Sequence, residues 1–272
     1  MRSKRDIRAV LIQYLKELHL PTIRETFEEM ALKAQQESLS YEKYLLELVE
    51  KECEDRHHRK TEKMLRQSKL PLEKNLESYD LKRLPAKVRQ QATSLLEGDF
   101  LDRKENVLAF GNPGSGKSHL LWAIGQELVR KGRRVYNTTC SFLVQELLIA
   151  KRDLKLPKLM KKLGKWEALI IDDIGYVQQS REEMEILFTL LADRYERASV
   201  LITSNLPFSK WEKIFKDPMT TAAAIDRLVH HSIILELNLP SYRLEHSKAN
   251  KGAGKSQRQH LQGEKANGND RL

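Results

Sequence analysis

Only two cysteines occur in the chain, Cys53 and Cys140, isolated from each other and from any His/Cys ligand spacing. A disulfide framework and a zinc site of recognisable spacing are therefore not expected, and a reducing cytoplasm fits. No run of about 18 apolar residues exists, so no helical membrane span is predicted and a membrane partner is not expected. The basic start MRSKRD is followed by an apolar stretch of only Ala9 to Ile12, too short for a signal peptide. Large apolar residues are also scarce over 247–272, where Lys248, Lys251, Lys255, Arg258, Lys265 and Arg271 face only Glu264 and Asp270. A segment of that composition cannot offset its ordering entropy, and a disordered basic tail is expected.

What is present in excess is positive charge: 48 Lys and Arg against 38 Asp and Glu give a formal net charge of +10. Such an excess favours polyanionic partners, nucleic acid foremost. At 272 residues the length suggests about two domains.

The most specific signal is NVLAFGNPGSGKS at 106–118, a short apolar run followed by Gly111-x-x-x-x-Gly116-Lys117-Ser118, the full Walker A pattern. Glycines let successive backbone N–H groups turn around phosphates, Lys117 brings a cation to the β/γ oxygens, and the Ser118 hydroxyl is a ligand for Mg²⁺. Behind the loop, Leu120, Ile124 and Leu128 form one helical stripe that stops at Gly132, so phosphates would meet a helix N-terminus. A second GKS, Gly254-Lys255-Ser256, serves as an internal control. Ala249 stands where its first glycine is required, and neither an apolar strand nor a helical stripe flanks it.

Residues 1–69 read as an all-α module for DNA or partner binding. A stripe through Leu11, Tyr14, Leu15 and Leu18 precedes Pro21, and a second helix opens near Ser40, with Tyr41, Tyr44, Leu45, Leu48 and Val49 at helical spacing. Farther along, Arg56, Arg59, Lys60, Lys63 and Arg66 share one helical face. That face either tracks DNA phosphates or is a solvated face laced by i,i+4 pairs to interspersed acids. Residues 70–105, with Pro71, Pro85 and Gly98, read as a connector docking on the next domain.

The period then changes. Strand-like runs at 106–110, 134–139, 168–173, 199–205 and 232–237 alternate with helices, which predicts an α/β core over 106–246 with a parallel sheet flanked by helices. ALIIDD ends in Asp172, expected to hold Mg²⁺, and Asp173, expected to orient or deprotonate the attacking water. LITSN places Thr203, Ser204 and Asn205 at the next strand tip, as groups for the γ-phosphate or the water, with a plain turn-forming Asn as the alternative. Arg227 precedes the last strand and either stabilises phosphoryl-transfer charge in trans or pairs with an internal acid such as Asp226. His230 and His231 have no third ligand at a recognisable spacing and read as packing or surface residues.

Assembled in order, LPTIRETFEEMALKA, SYEKYLLELVEKECEDR, GNPGSGKSHLLWAIG, LIIDDIGY, LFTLLADRYERASVLITSNLPFSKWEKIF, TTAAAIDRLVHHS and SYRLE resemble the IstB-like ATP-binding family. That family comprises helper ATPases of insertion-sequence transposition, a compact AAA+ branch of P-loop NTPases related to helicase loaders and initiators. The resemblance implies ATP and Mg²⁺ as cofactors, with Gly111, Asn112, Pro113, Gly114, Ser115, Gly116, Lys117, Ser118 and His119 around the nucleotide. It implies Asp172 and Asp173 as Walker B, Asn205 as sensor 1, Arg227 as the arginine finger and Arg243 as sensor 2. It further implies slow, DNA- or partner-stimulated ATP hydrolysis and ATP-bridged homo-oligomers on double-stranded DNA. The implied partner is a transposase encoded by the same element. A replicative helicase loader is the alternative within the fold. Two departures stand out: Asp173 replaces the usual Glu, and only about 35 residues follow the last strand, too few for a C-terminal lid.

Overall fold

The computed structural model describes residues 4–174, 180–207, 210–211 and 218–242, and the chain divides into two compact units, Met1–Met64 and Leu65–Leu272. Arg243, the second GKS and the basic tail lie outside the described residues.

The first unit contains α1 (Lys4–Glu17), α2 (Pro21–Gln36) and the greater part of α3 (Tyr41–Ser68). Pro21 opens α2 because the first helical position needs no donor. Ser40 caps α3, its Oγ accepting from the Lys43 N–H at 3.3 Å. The apolar stripes bury less than their spacing suggests. Leu15, Ile23 and Leu48 form the core with Leu20, Phe27, Met30 and Tyr44, whereas Leu11, Tyr14, Leu18, Tyr41, Leu45 and Val49 are exposed. With so few helices, each covers only a narrow line of its neighbour.

A buried acid completes that core. Glu52 of α3, 3% exposed, accepts from the backbone N–H groups of Thr22 at 2.8 Å and Ile23 at 3.1 Å. Those donors open α2, whose N-cap position, Leu20, supplies no side-chain cap. Arg56 reaches Glu52 Oε1 at 3.2 Å and the His19 carbonyl at 2.8 Å; Arg59 reaches Glu52 at 3.5 Å and Thr22 Oγ1 at 3.2 Å.

The second unit is built on a parallel sheet of β1 (Asn106–Gly111), β2 (Val135–Thr139), β3 (Ala168–Ile174), β4 (Ser199–Ser204) and β5 (Ser232–Leu237), ordered β2-β3-β4-β1-β5. Its strands are apolar runs buried on both faces, Val107 to Ala109, Ala168 to Ile171 and Val200 to Ile202, as helices on each side require. The described helices are α4 (Ala86–Glu97), α5 (Asp99–Asp102), α6 (Lys117–Arg130), α7 (Cys140–Arg152), α8 (Leu156–Leu163), α9 (Arg181–Arg194) and α10 (Pro218–Val229). Leu120, Ile124 and Leu128, the stripe of α6, are fully buried, and Gly132 ends that segment with φ +86°. The strand order sets the carboxyl ends of β3, β4 and β1 side by side. Pairing of β3 with β4 is regular to Ile171↔Ile202, then shifts by a bulge before Ile174↔Ser204. Asp172 and Asp173 lie on that bulge.

Candidate nucleotide site

The loop between β1 and α6 lies at the sheet's carboxyl edge. Gly116, with φ +96°, caps α6 without any side-chain hydrogen bond, so the N–H groups of Lys117, Ser118 and His119 lack intrahelical partners. Gly111, with φ +152°, runs so close to the Leu237 carbonyl of β5 that a Cβ would collide with it. Ser115 Oγ is buried without a hydrogen-bond partner among the described residues. A cradle of unspent donors at the start of a 14-residue helix suits an anion.

Lys117 is only 5% exposed and its ammonium is fully engaged. Nζ donates to the Gly111 carbonyl at 2.8 Å, the Asn112 carbonyl at 2.9 Å and Asn205 Oδ1 at 2.7 Å. Burial pulls its pKa below the ordinary lysine value, and the Asp173 and Asp172 charges oppose that pull. Asn205 Nδ2 in turn donates to Asp173 Oδ1 at 3.3 Å. The Walker A lysine, the strand-tip asparagine and the second acid of β3 thus form one hydrogen-bonded chain.

The bulge explains how Asp173 gets there. Asp173 has φ +66°, a left-handed conformation that interrupts the pleat and re-aims the side chain. Thr203, fully buried on β4, holds both acids: its Oγ1 donates to Asp172 Oδ1 at 2.6 Å and accepts from the Asp173 N–H at 2.8 Å. Asp173 lines the cleft, whereas Asp172 sits behind it on Thr203. The expectation that Thr203 and Ser204 meet the phosphate or water is corrected here. Both are fully buried, Thr203 fixing the acids and Ser204 Oγ lying 3.2 and 2.9 Å from the Ile174 and Leu206 carbonyls, which share its single proton.

The cleft has a volume of about 530 Å³, and the loop from Pro113 to His119 forms one wall. The other walls come from residues that motif reading passed over: Lys74, Ser78, Tyr79 and Arg83 before β1, and Leu239 and Tyr242 after β5. Tyr79 stands edge-on to His119 with ring centroids 5.0 Å apart, and burial pushes its pKa up to about 12. His119 Nε2 lies 3.2 Å from the Asn75 carbonyl and 3.1 Å from Ser78 Oγ. The carbonyl can only accept, so Nε2 carries the proton; burial lowers the pKa of this imidazole. The Tyr242 N–H donates to the Gly114 carbonyl at 3.0 Å, closing the chain over the loop, and Arg83 stacks on the Tyr242 ring at 4.9 Å. An aromatic at 79 and a histidine directly after the Walker A serine were the available signals.

Arg227 is not among the cleft-lining residues. It lies half-buried on α10, over the Phe188 ring of α9 at 5.0 Å, with Nη1 donating to the Ala223 carbonyl at 3.3 Å. Of the basic face on α3, Arg56 and Arg59 are tied to Glu52 and α2, while Lys60, Lys63 and Arg66 are exposed. A denser basic surface went unread in the sequence. LKLPKLMKKLGK buries Leu159 and Leu163, while Lys155, Lys158, Lys161, Lys162 and Lys165 are all exposed on and beside α8.

Comparison with known proteins agrees with this arrangement. The family model described as IstB-like ATP binding protein matches residues 13–250. A Sinorhizobium fredii protein described as an insertion sequence ATP-binding protein is 42% identical over 230 residues, 84% of this chain and 77% of its own length. The ATP-binding protein of insertion sequence IS5376 from Geobacillus stearothermophilus is 36% identical over 245 residues, 90% of this chain and 98% of its own. Among solved structures, the replication initiator DnaA bound to AMPPCP and single-stranded DNA superposes with a TM-score of 0.53 at 18% identity. That match covers 63% of this chain and about half, 52%, of the initiator, and shows a shared AAA+ fold. No helix among the described residues is long and apolar enough to cross a membrane.

Proposed function

Since the chain belongs to the IstB-like ATP binding protein family, we propose that it is the ATP-driven, DNA-binding helper of an insertion sequence. ATP bound in the cleft joins subunits into an oligomer on double-stranded DNA, the oligomer engages the element's transposase, and hydrolysis to ADP and phosphate releases it. The relatives described by an insertion sequence favour this reading over a helicase loader.

The observation that carries it is the chain Lys117–Asn205–Asp173 beside a helix start with unspent donors. Each bond that Lys117 makes to a carbonyl is one that a phosphate oxygen replaces with a stronger, charge-assisted contact. Asn205 then loses its lysine partner and is placed to orient a water that Asp173 accepts a proton from. The residues suit a magnesium ion: Ser118 lines the cleft and Asp172, next to the lining Asp173, is a carboxylate fixed on Thr203 behind it, a hard-oxygen donor set. Such an ion supplies charge neutralisation on the phosphates. Aspartate in place of glutamate at 173 shortens the reach to water by one methylene, and turnover is correspondingly slow.

Arg227, held away from its own cleft on α10, acts on the nucleotide of a neighbouring subunit. DNA contact draws on the exposed lysines around α8 in the sheet unit and, separately, on Lys60 and Lys63 in the helical unit. Arg56 and Arg59, bonded internally, contribute less. Binding through phosphates weakens steeply with salt and varies little with sequence.

Retention of duplex DNA with no nucleotide, ADP and a nonhydrolysable ATP analogue is the direct test. Retention only with the analogue, lost in Lys117→Ala, supports the proposal; equal retention in all three states contradicts it.

A further inference from the structure

At the amino ends of β1, β4 and β5, the sheet edge opposite the cleft, three metal-binding side chains converge. Glu196 comes from the turn between α9 and β4; His230 and His231 form the turn between α10 and β5. Ligand atoms of all three lie within 4.8 Å of one another, and all three residues are exposed. The two imidazoles are 4.1 Å apart between centroids at 62°. Adjacent residues in a helix would diverge; in this turn they face one site. The Tyr195 hydroxyl lies 3.0 Å from His230 Nδ1, which leaves Nε2 as that ring's open nitrogen.

The two turns are held by buried polar side chains, so the cluster sits on a fixed backbone. Asn106, the first residue of β1, spans them: Oδ1 accepts from the Val200 N–H at 2.9 Å, Nδ2 donates to the Leu228 carbonyl at 3.2 Å, and its backbone N–H donates to the His231 carbonyl at 2.7 Å. Arg194, 2% exposed, donates to the carbonyls of Leu163, Trp166 and Ser199 at 3.1, 3.0 and 2.9 Å, fixing the segment that carries Glu196.

We propose that Glu196, His230 and His231 form a divalent-cation site for a borderline metal of the zinc class, with water as the fourth ligand. Two imidazoles and one carboxylate suit Zn²⁺ and disfavour Mg²⁺, which takes oxygen ligands, so this ion differs from the one that accompanies a nucleotide. Tetrahedral ligands at about 2.0–2.1 Å from zinc lie about 3.3 Å from each other. The remaining gap falls to rotation of these side chains, which are exposed and so not locked by packing. Arg227 precedes His230 and His231 by three and four residues, so a bound ion ties the last turn of its helix to the α9–β4 turn.

The test uses tag-free, nucleotide-free full-length protein titrated with Zn²⁺ alone against a chromophoric chelator. Expected are one competed zinc per chain and an affinity at least about 100-fold weaker in Glu196→Gln and in His231→Ala. Tyr195→Phe should bind about 10-fold more weakly through the loss of its bond to His230. Melting in EDTA should be the same for all. As an independent readout, Co²⁺ added to the unaltered chain should give tetrahedral visible bands that Zn²⁺ abolishes. Equal zinc affinity and stoichiometry in the unaltered chain and the Glu196→Gln/His231→Ala double variant would overturn the site, as would absence of the cobalt bands.

Discussion

Glu52 in the helical unit and Lys117 in the sheet unit are both charged side chains withdrawn from water, at 3% and 5% exposure, yet their partners differ in kind. Glu52 accepts from two backbone N–H groups and two guanidinium groups of its own unit. Lys117 donates to two carbonyls and to Asn205, and both it and the asparagine line an open cleft. The first arrangement is closed and stabilises the fold. The second is provisional, because an anion entering the cleft offers the ammonium more than neutral oxygens do. Burial of a charge thus marks function only where its partners can be exchanged.

That contrast breaks most visibly at Lys117. Lys117→Ala should lose about 4 kcal/mol of ATP binding, roughly a thousandfold, with little change in the denaturant midpoint; calorimetric titration with ATP and magnesium measures it, and unchanged affinity would remove Lys117 from the site. Glu52→Ala should show the reverse, costing about 3 kcal/mol of stability in the helical unit by leaving the buried Thr22 and Ile23 N–H groups without their acceptor, with ATP affinity unaltered. A loss below about 0.5 kcal/mol in urea unfolding would show that Glu52 is not the anchor proposed.

Asp173→Asn sharpens the comparison within the cleft itself. ATP affinity should hold while turnover falls about 100-fold, as removal of a general base predicts; phosphate release in the presence of duplex DNA reads this, and unimpaired release would reassign the base. The smallest effect belongs to His119. Burial lowers its pKa, so the unfolded chain binds the proton more readily, and stability is lost as the pH falls through the ordinary imidazole value of about 6.5. His119→Asn should flatten the decline of the thermal midpoint between pH 7 and pH 5.5.

Much of this was legible in the residues. Apolar runs bounded by polar tips located all five strands to within a residue or so, because strands buried on both faces leave little room for polar positions. Gly111, Asp172, Asp173 and Asn205 could be set at strand ends for the same reason, and Lys117 at a helix start by the glycine spacing before it. What stayed hidden depends on contacts distant in sequence. Tyr79 and Tyr242 reach the cleft from either side of the core, with no motif to mark them. The bulge that turns Asp173 is a property of β3 paired with β4, and Thr203 reads as a phosphate ligand until its burial shows otherwise. Glu196 stands far from His230 in sequence, so the histidine pair shows no third ligand until the strands are assembled. The stripes of α1 and α3 erred oppositely, promising more packing than a small helical unit provides.

A crystal structure of the full chain with a nonhydrolysable ATP analogue and magnesium tests the central claim most directly. Lys117 Nζ should have left the Gly111 and Asn112 carbonyls for the β- and γ-phosphates, with the 111–118 loop otherwise unmoved. Analogue bound elsewhere, or Lys117 still on those two carbonyls beside an occupied cleft, would contradict it.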